Sequence, residues 1–300
     1  MFKKFASFMT LVLVLAPVTN VLAAITWDAG GSDYKWDTDA NWSGDTEPGA
    51  ADTVYLYGPD DSITEVYKDS AACNVITNGD ATNRLDHHLI IKENGVLTVG
   101  NYFANSCGVN AATGEITIES GGALYVCTNY FNLTHPNGNP ANTEEANLGI
   151  LNMDGGLLDI KTDFNVSRAA NGNHRGEVYL YGGEIYANGI YMDFHSYEDP
   201  QEVDRWTANT TPDQIDITNG VMYIKGAEKT KIDGYVDNGW ITAFGGTGIV
   251  HVQEEVSVTC DPQAGNGAYT KVWATPIPEP GTMLLAGFGV LVLLVSRRKR

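Results

Sequence analysis

The feature that most constrains this chain is a phrase that recurs through its middle: a short alternating strand, a turn ending in glycine, and a second alternating strand. The second strands run Gly95 to Val99, Gly122 to Val126, Gly156 to Ile160, Gly183 to Ala187 and Gly220 to Ile224. First strands such as Ile116-Thr117-Ile118, Leu151-Asn152-Met153, Val178-Tyr179-Leu180 and Ile215-Asp216-Ile217 stand before them. Apolar residues at every second position mark strands with one buried face. Glycine at the corners supplies positive φ without a steric cost.

Equivalent glycines are spaced 27, 34, 27 and 37 residues apart. A near-constant unit with occasional extra residues is the pattern of a stacked core whose insertions loop outward. The expected class is therefore all-β, with a right-handed parallel β-helix (solenoid) over 88–260 and the inserts 132–147 and 195–211 bulging from it. The same alternation also fits an antiparallel β-sandwich in which Asn94-Gly95 and Gly182-Gly183 are hairpin turns, and periodicity alone does not separate the two.

Residues 24–87 precede the repeats and open with a Trp-, Asp- and Gly-rich stretch that ends in the alternating Val54 and Leu56. This stretch resembles the first-coil segment of many bacterial surface β-solenoids. The resemblance implies an irregular N-terminal cap, with Trp27, Trp36 and Trp42 buried over an end that would otherwise pair with other chains. Within it Asp37, Asp39, Asn41, Ser43 and Asp45 fall at alternate positions, as in a calcium loop. Such a loop also needs glycine at its sixth position and a bidentate acid at its twelfth, where this chain has Trp42 and Pro48. A solvated Asx-rich turn is the competing reading.

The two ends carry targeting features. Residues 1–23 have Lys3 and Lys4, an apolar run around Leu11 to Val18, and Val21-Leu22-Ala23 as cleavage context, which reads as a secretory signal peptide. Residues 261–275 read as a linker. Residues 276–300 combine Pro278-Glu279-Pro280, an uncharged run from Gly281 to Ser296, and Arg297-Arg298-Lys299-Arg300. The prolines keep the first element extended. The sixteen uncharged residues reach roughly 24 Å as a helix, short of the roughly 30 Å hydrocarbon core. They span a membrane as a transmembrane helix only where the bilayer thins or the flanking arginines snorkel. The cations belong on the cytoplasmic side, which leaves the body outside.

This order of parts resembles the PEP-CTERM sorting signal of Gram-negative bacteria; the same parts would also describe an ordinary tail anchor. The resemblance implies an exosortase, a membrane-embedded thiol peptidase, as partner. It assigns recognition to Pro278, Glu279 and Pro280 and membrane retention to Arg297, Arg298, Lys299 and Arg300. It also places the protein among producers of exopolysaccharide, first anchored in the inner membrane with its body in the periplasm and then at the cell surface or in the extracellular matrix.

With both ends set aside, the body holds 36 acids against 12 bases. So acidic a body argues against nucleic acid as partner, because phosphate neutralisation needs lysine and arginine. Acidic secreted surfaces favour solubility or divalent cations, so calcium is the one cofactor to weigh. Four cysteines allow three pairings. If the solenoid holds, Cys107 and Cys127 fall about one coil apart and form the expected disulfide.

Secreted β-helices include polysaccharide lyases and glycoside hydrolases, for which Asp159, Asp163, Arg168, Asp193 and Asp216 are the candidate cluster. On so acidic a surface such clustering also arises by chance. The six histidines show no metal-ligand spacing, and there is no G-x-S-x-G elbow or phosphate loop. A more specific feature is the outward middle position of the second strands: Thr98, Tyr125, Asp159, Tyr186 and Tyr223. Stacked in register, Tyr125, Tyr186 and Tyr223 would form a stripe able to stack on sugar rings, or one that only stabilises the sheet. The expected function is a non-enzymatic exported surface or matrix protein associated with exopolysaccharide, the alternative being a lyase or hydrolase on the same fold.

Overall fold

Alternation of buried and half-exposed residues along strands such as Ser62–Val66, His87–Ile91 and Thr113–Ile118 sets the architecture. A computed structural model describes residues 24–56, 58, 62–78, 86–106, 113–134, 147–167, 174–192, 213–258 and 267–277. Outside them lie the expected signal peptide, most of both inserts, Cys107, Arg168, Asp193, Pro278, Glu279, Pro280, the apolar run and Arg297 to Arg300. Among the described residues no helix is long and apolar enough to cross a membrane.

The described residues are mostly β. In order the strands are β1 (Ala24–Thr26), β2 (Thr53–Leu56), β3 (Ser62–Val66), β4 (Ala71–Cys73), β5 (Val75–Asn78), β6 (His87–Ile91), β7 (Val96–Val99) and β8 (Phe103–Ala104). They continue with β9 (Thr113–Ile118), β10 (Ala123–Val126), β11 (Phe131–Asn132), β12 (Leu148–Asn165), β13 (Arg175–Tyr191), β14 (Gln214–Ile217) and β15 (Val221–Lys225). Helix α1 (Lys229–Asp237) precedes β16 (Ile241–Ala243), β17 (Gly248–Val258) and β18 (Gly267–Pro276).

These strands form three ladders. The first runs β3, β6, β9, the start of β12, the start of β13, β14 and β16, every pair parallel. The second runs β4, β7, β10, the middle of β12, the middle of β13 and β15, again parallel. The third runs β1, β2, β5, β8, β11 and the ends of β12 and β13. Inward residues stack by type: Leu89, Ile116, Leu151, Val178, Ile215 and Ile241 share one row, and all are buried. In the third ladder the rings of Phe103, Phe131 and Phe164 follow at 5.1 and 5.4 Å.

The glycine equivalence read from sequence holds residue for residue, since Val96, Ala123, Leu157, Glu184 and Val221 are register partners. Strands β6 and β7, on either side of Asn94-Gly95, belong to different ladders, and Gly182-Gly183 lies inside β13. Both are corners, which corrects the hairpin reading and with it the antiparallel sandwich. Asn94 (φ 64°) and Gly183 (φ 77°) take the left-handed conformation that a corner needs.

The N-terminal segment closes onto the first rungs. Trp27, Trp36 and Trp42 are fully buried, with edge-on ring contacts of 4.9 Å (Trp27–Trp42) and 4.7 Å (Trp36–Trp42). Trp42 Nε1 donates to the Trp36 carbonyl at 2.6 Å.

At the other end the order changes. Residues 267–275, expected in a linker, lie in β18, which pairs antiparallel with β15 on one side and with β17 on the other. Helix α1 buries Ile232 and Tyr235 against the core. Antiparallel strands and a helix replace the next parallel rung, and the exposed row of backbone donors and acceptors on β15 is thereby paired.

Candidate functional site

The outward row of the second ladder was the expected glycan stripe. Its register is as read: Thr98, Tyr125, Asp159, Tyr186 and Tyr223 are successive partners, and the row continues to Lys271 on β18. Its exposure is not as read. Tyr186 is 3 % and Asp159 1 % exposed. Tyr186 stacks on Tyr223 at 4.8 Å and meets Tyr269 edge-on at 6.4 Å. Its hydroxyl donates to Glu184 at 2.9 Å. Burial raises the phenol pKa of Tyr125 and Tyr223 above the ordinary value, with Asp159 and Glu184 adding to it. Tyr125, Tyr186 and Tyr223 therefore do not form one open stripe: two half-buried rings flank a buried stretch.

An accessible aromatic pair sits on the first ladder instead. Tyr179 and Tyr181 project from β13 on either side of inward Leu180, their rings 6.1 Å apart and within 8° of coplanar. Tyr181 is 48 % exposed. It has no register partner between Leu180 and Gly182, so it stands on a bulge. The Tyr179 hydroxyl donates to Glu177 at 2.7 Å. That hydrogen bond, helped by burial, pushes its pKa up to about 12. Glu177 is also paired with Arg175 at 3.0 Å. Asn152 and Asp216 flank Tyr179 in the same row. Two parallel rings bordered by carboxylate, guanidinium and amide can stack a sugar and hydrogen-bond its hydroxyls. The alternation at 179 and 181 was visible in the sequence; the bulge at Tyr181 was not.

Among the described residues, the candidate catalytic aspartates Asp159, Asp163 and Asp216 are spread over different ladders. Asp159 and Asp163 lie on β12, Asp159 in the second ladder, whereas Asp216 is on β14 in the first. Asp216 Oδ1 accepts from Thr242 Oγ1 at 2.8 Å and the Gly245 amide at 2.9 Å, which holds a turn. His87, 2 % exposed, contacts Ser62 Oγ at 2.5 Å and Thr64 Oγ1 at 3.0 Å through its two ring nitrogens. Burial lowers its pKa to about 3, so it is a neutral core imidazole.

In the acidic run at 37–45, Asn41, Asp39 and Ser43 bond to groups of the cap itself, as an Asx-rich turn would. Asn41 is buried, donates to Asp33 Oδ1 and the Lys35 carbonyl, and accepts from the Gly31 amide. Asp39 accepts from the Glu47 amide and Ser43 from the Thr26 amide. These oxygens tie the cap to itself. Among the described residues no three His, Cys, Asp or Glu side chains cluster as a metal would need. Cys73 is buried, and burial raises its thiol pKa. Cys127 is described, whereas its expected disulfide partner Cys107 is not.

Against known families, residues 276–300 match the model of the PEP-CTERM protein-sorting motif. No curated protein and no solved structure matches the chain. The matched segment contains Pro278, Glu279, Pro280 and the terminal cations. The motif implies an exported protein, anchored transiently in a membrane and recognised by an exosortase.

Proposed function

We propose that this PEP-CTERM protein ends its route at the cell surface or in the extracellular matrix, as a non-enzymatic protein with an acidic, right-handed parallel β-helical body. The observation that carries the reading is the sorting motif at 276–300, joined to the body through β18. The three parallel ladders support a solenoid, and parallel crossovers are right-handed in nearly all known sheets. In sorting, Gly281 to Ser296 stops translocation and Arg297 to Arg300 hold the segment on the cytoplasmic side, so that Pro278-Glu279-Pro280 meets the peptidase at the outer boundary.

Tyr179 and Tyr181 are the contact this reading assigns to exopolysaccharide, in place of the Tyr125, Tyr186 and Tyr223 stripe. The scattering of Asp159, Asp163 and Asp216 favours adhesion over hydrolysis or elimination.

Replacing Pro278, Glu279 and Pro280 by alanine in the native cell tests the sorting step. The variant should accumulate in the membrane fraction with its basic tail intact. Normal release of that variant would overturn the reading.

A further inference from the structure

Trp240 to Gln253 and Gly267 to Ile277 are two of several stretches of the acidic body that contain no aspartate or glutamate. The sheet brings them together, because β17 and β18 pair antiparallel with Gly248 opposite Pro276 and Ile249 opposite Thr275. Val250, Val252 and Ala274 pack toward the core. Alternation then sends Ile249, His251, Trp273, Thr275 and Ile277 to the opposite, outer face. Ile249 is 47 % and Ile277 51 % exposed, and they are the exposed large aliphatic residues among those described. The His251 ring stacks on Trp273 at 5.1 Å, with its Nε2 2.7 Å from Thr275 Oγ1. Lys271 Nζ stands 5.1 Å from the Trp273 ring centre.

This face lies where the chain leaves the body for its apolar run. Four steps separate Ile277 from Gly281, a reach of at most about 14 Å. No linker holds the body away, since β18 continues to Pro276. The uncharged run falls roughly 6 Å short of the hydrocarbon thickness, and a short span draws its flanks into the interface. An aromatic ring, two aliphatic side chains and a lysine, without acids, are what a headgroup layer accepts.

The geometry points to a membrane-seating surface: the outer face of β17 and β18, through Ile249, Trp273 and Ile277, rests in the headgroup region of a phospholipid bilayer while the tail is inserted. It orients the body and holds Pro278-Glu279-Pro280 at the bilayer boundary. The inference rests on the reading of 281–296 as a membrane anchor.

The test uses the full chain reconstituted in phosphatidylcholine–phosphatidylglycerol vesicles containing lipid brominated near the top of its acyl chains. Flotation reports anchoring, and tryptophan quenching reports seating. The account expects flotation with a quenched emission component that disappears in Trp273→Phe. The double variant Ile249→Asp, Ile277→Asp should float equally and melt as the parent does, yet lose that component. Failure to float would remove the anchor on which the proposal rests. Flotation with no quenching attributable to Trp273 would overturn the seating surface alone.

Discussion

Asn78 donates from Nδ2 to Oδ1 of Asn105 at 2.6 Å, binding residues that lie one rung apart in the third ladder. Asn105 in turn donates to the Gly114 carbonyl at 2.7 Å, and Asn165 repeats the link to Asn132 at 2.7 Å. All four asparagines are buried. A one-residue slip would strand these amides without partners, so the row specifies register as well as stability. Asn105→Leu should cost about 2–4 kcal/mol, from the buried groups it leaves unsatisfied. Denaturant unfolding would measure it, and a loss under 0.5 kcal/mol, the scale of an ordinary surface change, would contradict the assigned role.

The corner glycines make a graded prediction. Gly183 has φ 77°, and a Cβ there would sit 2.5 Å from the Gly156 carbonyl oxygen. Gly226 has φ 89° but nothing within 4 Å of such an atom. Gly226→Ala should cost about 1–2 kcal/mol from backbone strain alone. Gly183→Ala should cost clearly more, because a neighbouring rung must shift. Equal losses in melting experiments would show that the stack does not crowd its corners.

His87 gives the body an acid-side sensitivity. Its pKa is about 3 in the folded chain, against about 6.5 unfolded. Below the higher value the unfolded chain binds the extra proton, so this contribution is fully present above about pH 6.5 and fades as pH falls. The limiting slope is about 1.4 kcal/mol per pH unit. His88 and His174, also lowered by burial, act in the same direction. Unfolding between pH 6.5 and 5, where carboxylates remain ionised, should show the slope reduced in His87→Gln. An unchanged slope would place the proton elsewhere.

Tyr179→Ala with Tyr181→Ala should weaken retention of the folded protein on its native polymer by about tenfold, the loss of one to two stacking contacts. Tyr125→Ser and Tyr223→Ser should change it much less. In a spectrophotometric titration the Tyr179 phenol should ionise near pH 12, and Glu177→Gln should bring it down. Equal retention of all variants would remove glycan contact from this face.

Much of the body was legible because its repeat is written in one dimension: inward residues alternate, and Gly95, Gly122, Gly156, Gly183 and Gly220 mark the corners. Exposure was not legible in the same way. Alternation puts Tyr186 outward, but the strand that brings Tyr269 beside it lies more than eighty residues later in sequence. Helix α1 left little trace, because Ile232 and Tyr235 are its only buried residues and no side chain caps its start. The strand β18 was hidden for another reason. Its pattern, with Tyr269 and Thr270 buried in succession, does not repeat the strict alternation of the earlier strands.

The most direct test of the account is the intact mass, with C-terminal peptide sequencing, of the protein recovered from its own cells and medium. The account predicts a mature form that begins near Ala24, ends close to Pro278 and lacks Arg297 to Arg300. A recovered protein that still carries those four residues, in every fraction, would contradict exosortase sorting.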